Sequence, residues 1–288
     1  MKFLTTEKEF NDSKTSDWDA NCDFWANEFK RNEHSDNNTK KAMSVIRAEA
    51  AKHKNPTIID VGCGHAWVAD ALKNTDGLKF KYWGLDYMPG FIDANIKKYA
   101  GDKNVRFNCC DVATAKVPSL DTFGRADIVV NYFNLIEIWN MDQVFFNMSK
   151  MLKPDGLLVV ATSDAVSRIA ALSESKEDFV QNFHQYARVK SSKPIETFNS
   201  HTGVTSVIRF EDTIGYKFEI PGIKSARYLH AVAHSVADYV NGAAGYGLYP
   251  ERIDELFNNE SPDTPYSNLY ALYPALVMQF RKLKAKHK

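Results

Sequence analysis

The sequence predicts a doubly wound α/β fold built on a mostly parallel sheet. Three observations carry that prediction. Between Thr57 and Thr162, five short apolar runs alternate with helix-like segments, the pattern of consecutive β–α–β units. The first run, Ile58-Ile59-Asp60-Val61, opens into Gly62-Cys63-Gly64-His65-Ala66-Trp67, a glycine turn that enters a helix. The second and third runs close on acids, Asp86 and Asp111.

The elements follow in order. Residues 1–37 are polar except for a stripe of Trp18, Cys22, Trp25 and Phe29 at helical spacing, read as an N-terminal helical lid. A helix from Thr39 to about Lys52 turns Met43, Ile46 and Ala50 to one face and stops before Asn55-Pro56. The strands are Thr57–Val61, Phe80–Leu85, Val105–Cys109, Ala126–Asn131 and Leu157–Thr162, the last entered through the turn Pro154-Asp155-Gly156. The intervening helices are Ala66–Lys73, Pro89–Tyr99 and Met141–Leu152. After Ser163 the alternation stops. A polar helical stretch to about Ser200, a hairpin of Val204–Phe210 with Gly215–Ile220, and a helix over Ala226–Asn241 are expected. Strands within Gly245–Leu256 and Ala271–Arg281 bring the sheet to seven. The organisation predicted is a lid (1–37), a core (38–162), a cap inserted between the fifth and sixth strands (163–228), and the C-terminal part of the core sheet (229–288).

Composition narrows the function. A chain of 288 residues with 44% hydrophobic and 12% aromatic content supports a large core. Lys plus Arg equals Asp plus Glu at 36 each, which argues against affinity founded on phosphate neutralisation and so against nucleic acid. The one basic run, Arg281 to Lys288, reads as a strand end entering a solvated tail. Cys22, Cys63, Cys109 and Cys110 form no CxxC pair, so neither structural zinc nor a disulfide framework is expected. With no signal-like or membrane-length apolar run, a cytoplasmic protein is expected.

The glycine turn narrows it further. Gly62 and Gly64 permit a tight turn and a close approach of main-chain amides to a ligand. The third position of a dinucleotide fingerprint must be small, and here it is Trp67; no GxxxxGK[ST] loop exists either. The turn therefore suits a nucleoside without a pyrophosphate.

The ordered set Asp60-Val61-Gly62-Cys63-Gly64, Gly84-Leu85-Asp86, Cys109-Cys110-Asp111-Val112, Ala126-Asp127-Ile128-Val129-Val130-Asn131 and Met151-Leu152-Lys153-Pro154-Asp155-Gly156 resembles the class I (Rossmann-like) S-adenosylmethionine-dependent methyltransferases, of the small-molecule type. The resemblance covers about residues 55–162. It implies a seven-stranded Rossmann-like sheet and S-adenosylmethionine as cofactor. Asp60, Gly62, Cys63 and Gly64 form the loop. The ribose hydroxyls fall to Asp86, and Tyr87 and Met88 cover one adenine face. Cys110 and Val112 flank the ring, Asp111 meets its amino group, and the Asn131 backbone faces the methionine end. Ala66 stands where the family often has a third glycine.

The sulfonium already activates the methyl group, so the protein must align an acceptor, exclude water and, for an O–H, N–H or C–H acceptor, provide a base. Candidates are Glu137, just after the fourth strand, and His230 and His234, four apart on the expected 226–241 helix. Tyr132 to Glu137 does not match the (Asn/Asp)-Pro-Pro-(Tyr/Phe) motif of amino-nucleobase methyltransferases. No acid cluster specifies a metal. An inserted cap encloses a pocket, which favours methyl transfer to O, N or C of a small organic acceptor. The alternatives are a tRNA- or protein-modifying methyltransferase, and a non-catalytic subunit that holds S-adenosylmethionine or S-adenosylhomocysteine. A homodimer through the inserted hairpin is left open.

Overall fold

The computed structural model describes residues 2–4, 8, 10, 37–114, 117, 123–163, 194–199, 204–210, 215–218, 229–232, 234–256 and 275–283. The Trp18–Phe29 stripe, most of the 163–200 stretch, His184, His201 and the tail beyond Leu283 lie outside the described residues.

The central sheet is assembled from β2 (Thr57–Val61), β3 (Lys81–Asp86), β4 (Val105–Cys109), β5 (Ala126–Tyr132), β6 (Leu152–Ser163), β11 (Leu248–Leu256) and β12 (Ala275–Lys282). Its order is β11-β12-β6-β5-β2-β3-β4. β2 pairs in parallel with β3 and β5, β3 with β4, and β5 with β6, whereas β12 runs antiparallel to both β6 and β11. All five residues of β2 and all seven of β5 are buried, as expected of central strands covered on both faces.

Helices α1 (Asn37–Ala50), α2 (Trp67–Lys73) and α3 (Pro89–Lys98) cover one face. There Met43, Ile46, Leu72 and Ile92 pack on Ile58, Tyr82, Val130 and Val159. Helices α4 (Met141–Met151) and α5 (Val236–Ala244) cover the other. Val144, Phe145, Met148 and Tyr239 pack there on Ile59, Leu85, Val129 and Val160. The two lists take alternate residues of the same strands, the period-two rule of the pleat. Each such aliphatic side chain contributes about 1.5–3 kcal/mol on full burial.

The expected core elements are present, most with boundaries moved by a residue or two; β6 begins five residues before and β12 four residues after the expected start. The Pro154-Asp155-Gly156 turn proves to be a bulge inside β6: Ala126 pairs with Leu152 and Ile128 with Leu157, so the extra residues loop out where Asp155 takes φ +68°. Beyond β6 the expectations need two corrections. Val204–Phe210 (β8) does not form a hairpin with the segment that follows; it pairs antiparallel with β7 (Pro194–Asn199), within the stretch read as helical. β9 (Gly215–Phe218) is instead the middle strand of a three-stranded sheet, between β1 (Lys2–Leu4) and β10 (Leu229–Val232). Both edges of β9 are thereby satisfied, which a hairpin with β8 would not achieve, and the N-terminal and inserted segments share one sheet. The 226–241 helix is likewise split. Residues 229–232 are strand, and α5 begins only after Ser235, whose Oγ accepts from the Asp238 N–H (3.2 Å) while Asp238 accepts from the Ser235 N–H (2.7 Å). That capping box was present in the sequence and marks the true helix start. His230 and His234 are therefore not on one helix face: His230 lies in β10, and His234 precedes α5.

Candidate active site

At the C-terminal ends of β2, β3, β4 and β5, where the chain reverses its direction of progress across the sheet, lies a cavity of about 440 Å³. Such a switch point is where open α/β sheets bind ligands.

Its floor is the glycine loop. Gly62, Gly64 and Ala66 take φ values of +75°, +46° and +58°, left-handed conformations that cost an L-residue such as Ala66 about 1–2 kcal/mol. The loop amides are turned inward. Gly62 and Cys63 donate to the Leu85 carbonyl (2.7 and 3.0 Å), and Gly64 donates to Asp86 Oδ2 (2.9 Å). Asn95 Nδ2 donates to the Gly64 carbonyl from α3 (2.6 Å). These amides fasten the loop to β3. Asp60 and Cys63 do not line the cavity but support the loop from beneath. Asp60 is buried, accepts from Tyr82 Oη (2.6 Å), and is pushed up to about 7 by burial, with Asp86 adding repulsion. The Cys63 thiol abuts Gly84, where a Cβ would stand 2.8 Å from Sγ, and burial pushes it well above the usual thiol range.

Asp86 closes β3 at the cavity. Its Oδ1 accepts from the Met88 N–H (3.0 Å) as its Oδ2 accepts from Gly64. Met88 itself is buried away from the cavity. Tyr87, Cys110, Asp111, Val112, Ala113 and Thr114 form the adjoining wall. Asp111 Oδ1 accepts from Ala113 N–H (2.9 Å), and Asn147 Nδ2 of α4 braces the wall through the Val112 and Thr114 carbonyls (2.9 Å each). Burial pushes the Cys110 thiol up to about 11, so it acts as an apolar wall.

The opposite wall is the segment after β5: Asn134, Glu137, Ile138, Trp139 and Asn140, held on a 3-10 turn at Leu135–Glu137. Glu137 is buried. His234 does not line the cavity; its Nε2 lies 2.8 Å from the Ile138 carbonyl. A carbonyl only accepts, so Nε2 carries the proton and His234 braces this wall. Phe10 packs on Trp139, with ring centroids 5.7 Å apart. Asn131 is fully buried behind the wall. Sequence reasoning placed Asp86, Tyr87, Cys110, Asp111, Val112, Gly62 and Glu137 at one site, and the structure brings these seven together. It missed Trp139 and Asn140, which no local motif marks; only the packing of the turn brings them in. Among the described residues no cluster suited to a metal is found.

Comparisons with known proteins agree with this geometry. Residues 52–217 match the family model described as a methyltransferase domain. The ubiquinone biosynthesis O-methyltransferase of Rickettsia akari is 25% identical over 150 residues, 50% of this chain and 56% of that protein. The chain therefore spans about half the length of the curated relatives it matches. A Haloferax volcanii methyltransferase solved in complex with the Trm112 activator superposes with a TM-score of 0.56 at 17% identity, covering 95% of this chain and 100% of that one. An S-adenosylmethionine-dependent methyltransferase from Clostridium acetobutylicum gives 0.55 at 11% identity, covering 91% and 99%.

The chain belongs to the S-adenosylmethionine-dependent class I methyltransferases. Their cofactor is S-adenosylmethionine, and the residues present fit it. Asp86 stands at the cavity wall, and Cys110 and Val112 offer an apolar slot beside it.

Proposed function

We propose that the protein transfers the methyl group of S-adenosylmethionine to an O, N or C atom of a small organic acceptor by in-line displacement. The observation that carries this reading is the shared cavity. Asp86 and the Tyr87–Thr114 wall stand on one side and Glu137, Trp139 and Asn140 on the other, in a volume typical of small-molecule sites.

S-adenosylmethionine supplies a methyl group already activated on a sulfonium. Asp86 holds the ribose hydroxyls. Tyr87, Cys110 and Val112 sandwich the adenine, and Asp111 receives its amino group. Glu137 accepts the proton that an O–H or N–H acceptor must lose. His234 fixes the Glu137 segment through Ile138 and does not itself act as the base. The Rickettsia relatives support a small acceptor and favour oxygen as the methylated atom. The lining carries Asp86, Asp111 and Glu137 and, among the described residues, no Lys, Arg or His, which suits a small neutral or cationic acceptor better than RNA. Among the described residues no helix is long and apolar enough to cross a membrane.

The test is calorimetric titration with S-adenosylmethionine, S-adenosylhomocysteine and NADH. Micromolar binding of both adenosyl ligands, lost in Asp86→Ala and absent for NADH, is expected. An acceptor screen for S-adenosylhomocysteine release then follows. Glu137→Gln is expected to lower kcat ~100-fold, in the range of lost general-base catalysis, with cofactor affinity unchanged. Cofactor binding without turnover of any acceptor would favour the non-catalytic reading.

A further inference from the structure

We propose that Asn134 recognises the carboxylate of the cofactor's methionyl arm, an inference that rests on the cofactor assignment above.

A carboxylate entering this cavity needs hydrogen-bond donors, and the glycine-loop amides, one usual source, are spent. The N–H groups of Gly62, Cys63 and Gly64 are committed to Leu85 and Asp86. The charged lining residues are all acids. Thr114 Oγ1 donates to the Asp111 carbonyl (2.9 Å), on the far side of the cavity from the 3-10 turn. The side chain of Asn134 lies directly on the glycine loop. A Cβ on Gly62 would stand 2.5 Å from its Cβ and Cγ and 2.7 Å from its Nδ2.

The orientation of that amide is fixed. Asn131 Nδ2 donates to Asn134 Oδ1 and to the Val61 carbonyl (3.2 Å each), while Asn131 Oδ1 accepts from the Leu135 N–H (3.2 Å). Since Oδ1 of Asn134 is the acceptor of this pair, Nδ2 is the atom left to donate, and no acceptor meets it among the described residues. Phe133, just before it, is held at φ +56° with its N–H on the Ala161 carbonyl (2.7 Å). A non-glycine residue in that region persists only where its surroundings impose it, and such positions cluster at ligand clamps. The strained Phe133 and the buried Asn131 thus deliver one amide donor onto the glycine loop. Asn131 is then a positioning residue acting through Asn134, rather than a ligand through its own backbone.

The experiment compares S-adenosylmethionine with decarboxylated S-adenosylmethionine, which keeps the sulfonium and the ammonium but lacks the carboxylate. Titration of the wild-type protein is expected to show preference for the intact cofactor. Asn134→Ala should weaken the intact cofactor by ~10-fold or more, the range for a hydrogen bond to a charged group, and leave the decarboxylated form unchanged. Asn134→Asp keeps an acceptor for Asn131 and nearly the same shape while setting a negative charge against the carboxylate. It should weaken the intact cofactor further and spare the decarboxylated one. Equal losses for both ligands, or no loss for either, overturn the proposal. Failure of the wild-type protein to bind either ligand overturns the cofactor assignment itself, and this inference with it.

Discussion

Single residues beneath the cavity set its shape and its response to pH. Gly62 combines φ +75° with Asn134 packed on its Cα. Gly62→Ala therefore meets a conformational cost of about 1–2 kcal/mol and a steric clash at once. Lower thermal stability and loss of adenosyl-ligand binding by calorimetry are expected; wild-type affinity in this variant would remove the loop from the site. Asp60 tests the electrostatics. Its carboxyl sits at about 7 in the folded protein against an ordinary 3.8, because burial disfavours its charge and Asp86 repels it. A group raised in the folded state contributes stability that is present in full below about pH 4 and is lost as pH rises through about 7. Wild-type protein should thus melt progressively lower between about pH 4 and about pH 7, and Asp60→Asn should flatten that decline. An identical slope in both proteins would mean that Asp60 titrates normally.

At the scale of elements, stability and site geometry meet at the start of α5. Ser235 and Asp238 close a capping box one residue after His234, whose ring braces the Ile138 carbonyl in the cavity wall. Ser235→Ala should cost about 1 kcal/mol by chemical denaturation, the usual value of a lost N-cap. It should also loosen the 3-10 turn that carries Glu137, raising the acceptor KM more than the cofactor Kd. Equal effects on both would confine the cap to a structural role. This element also separates what the sequence made legible from what it did not. Most strands from Thr57 to Thr162 were readable because they are buried apolar runs punctuated by glycine, proline or an acid, whereas β4 keeps only Val105 and Phe107 buried. Asp86 and Asp111 were readable because strand ends fix where their side chains emerge. The pairing of β7 with β8, and of β1 with β9 and β10, was not readable, since strand propensity does not name a partner. Trp139 was equally silent: its place in the cavity wall goes with Phe10 packing on it from the distant N-terminal segment.

At the scale of the whole molecule, the cavity is lined from both halves of the doubly wound sheet. Gly62, Asp86 and Asp111 lie on the side of β2, β3 and β4, while Asn134 and Glu137 follow β5 on the other. Behind them the sheet runs on through β6 to β12, where Arg281 joins Glu49 of α1 (2.7 Å) to Glu251 of β11 (2.9 Å). A ligand that bridges the two halves binds only the folded chain, so its binding free energy adds to global stability. At a concentration 100 times Kd the gain is about 2.7 kcal/mol, which for a chain of this size raises Tm by about 5 °C. S-adenosylhomocysteine should produce such a shift as a single transition, and Asp86→Ala should abolish it while keeping a cooperative melt. A shift confined to a separate low-temperature transition would mean that the ligand stabilises only the cap, and that the two halves of the sheet are not joined through the cofactor.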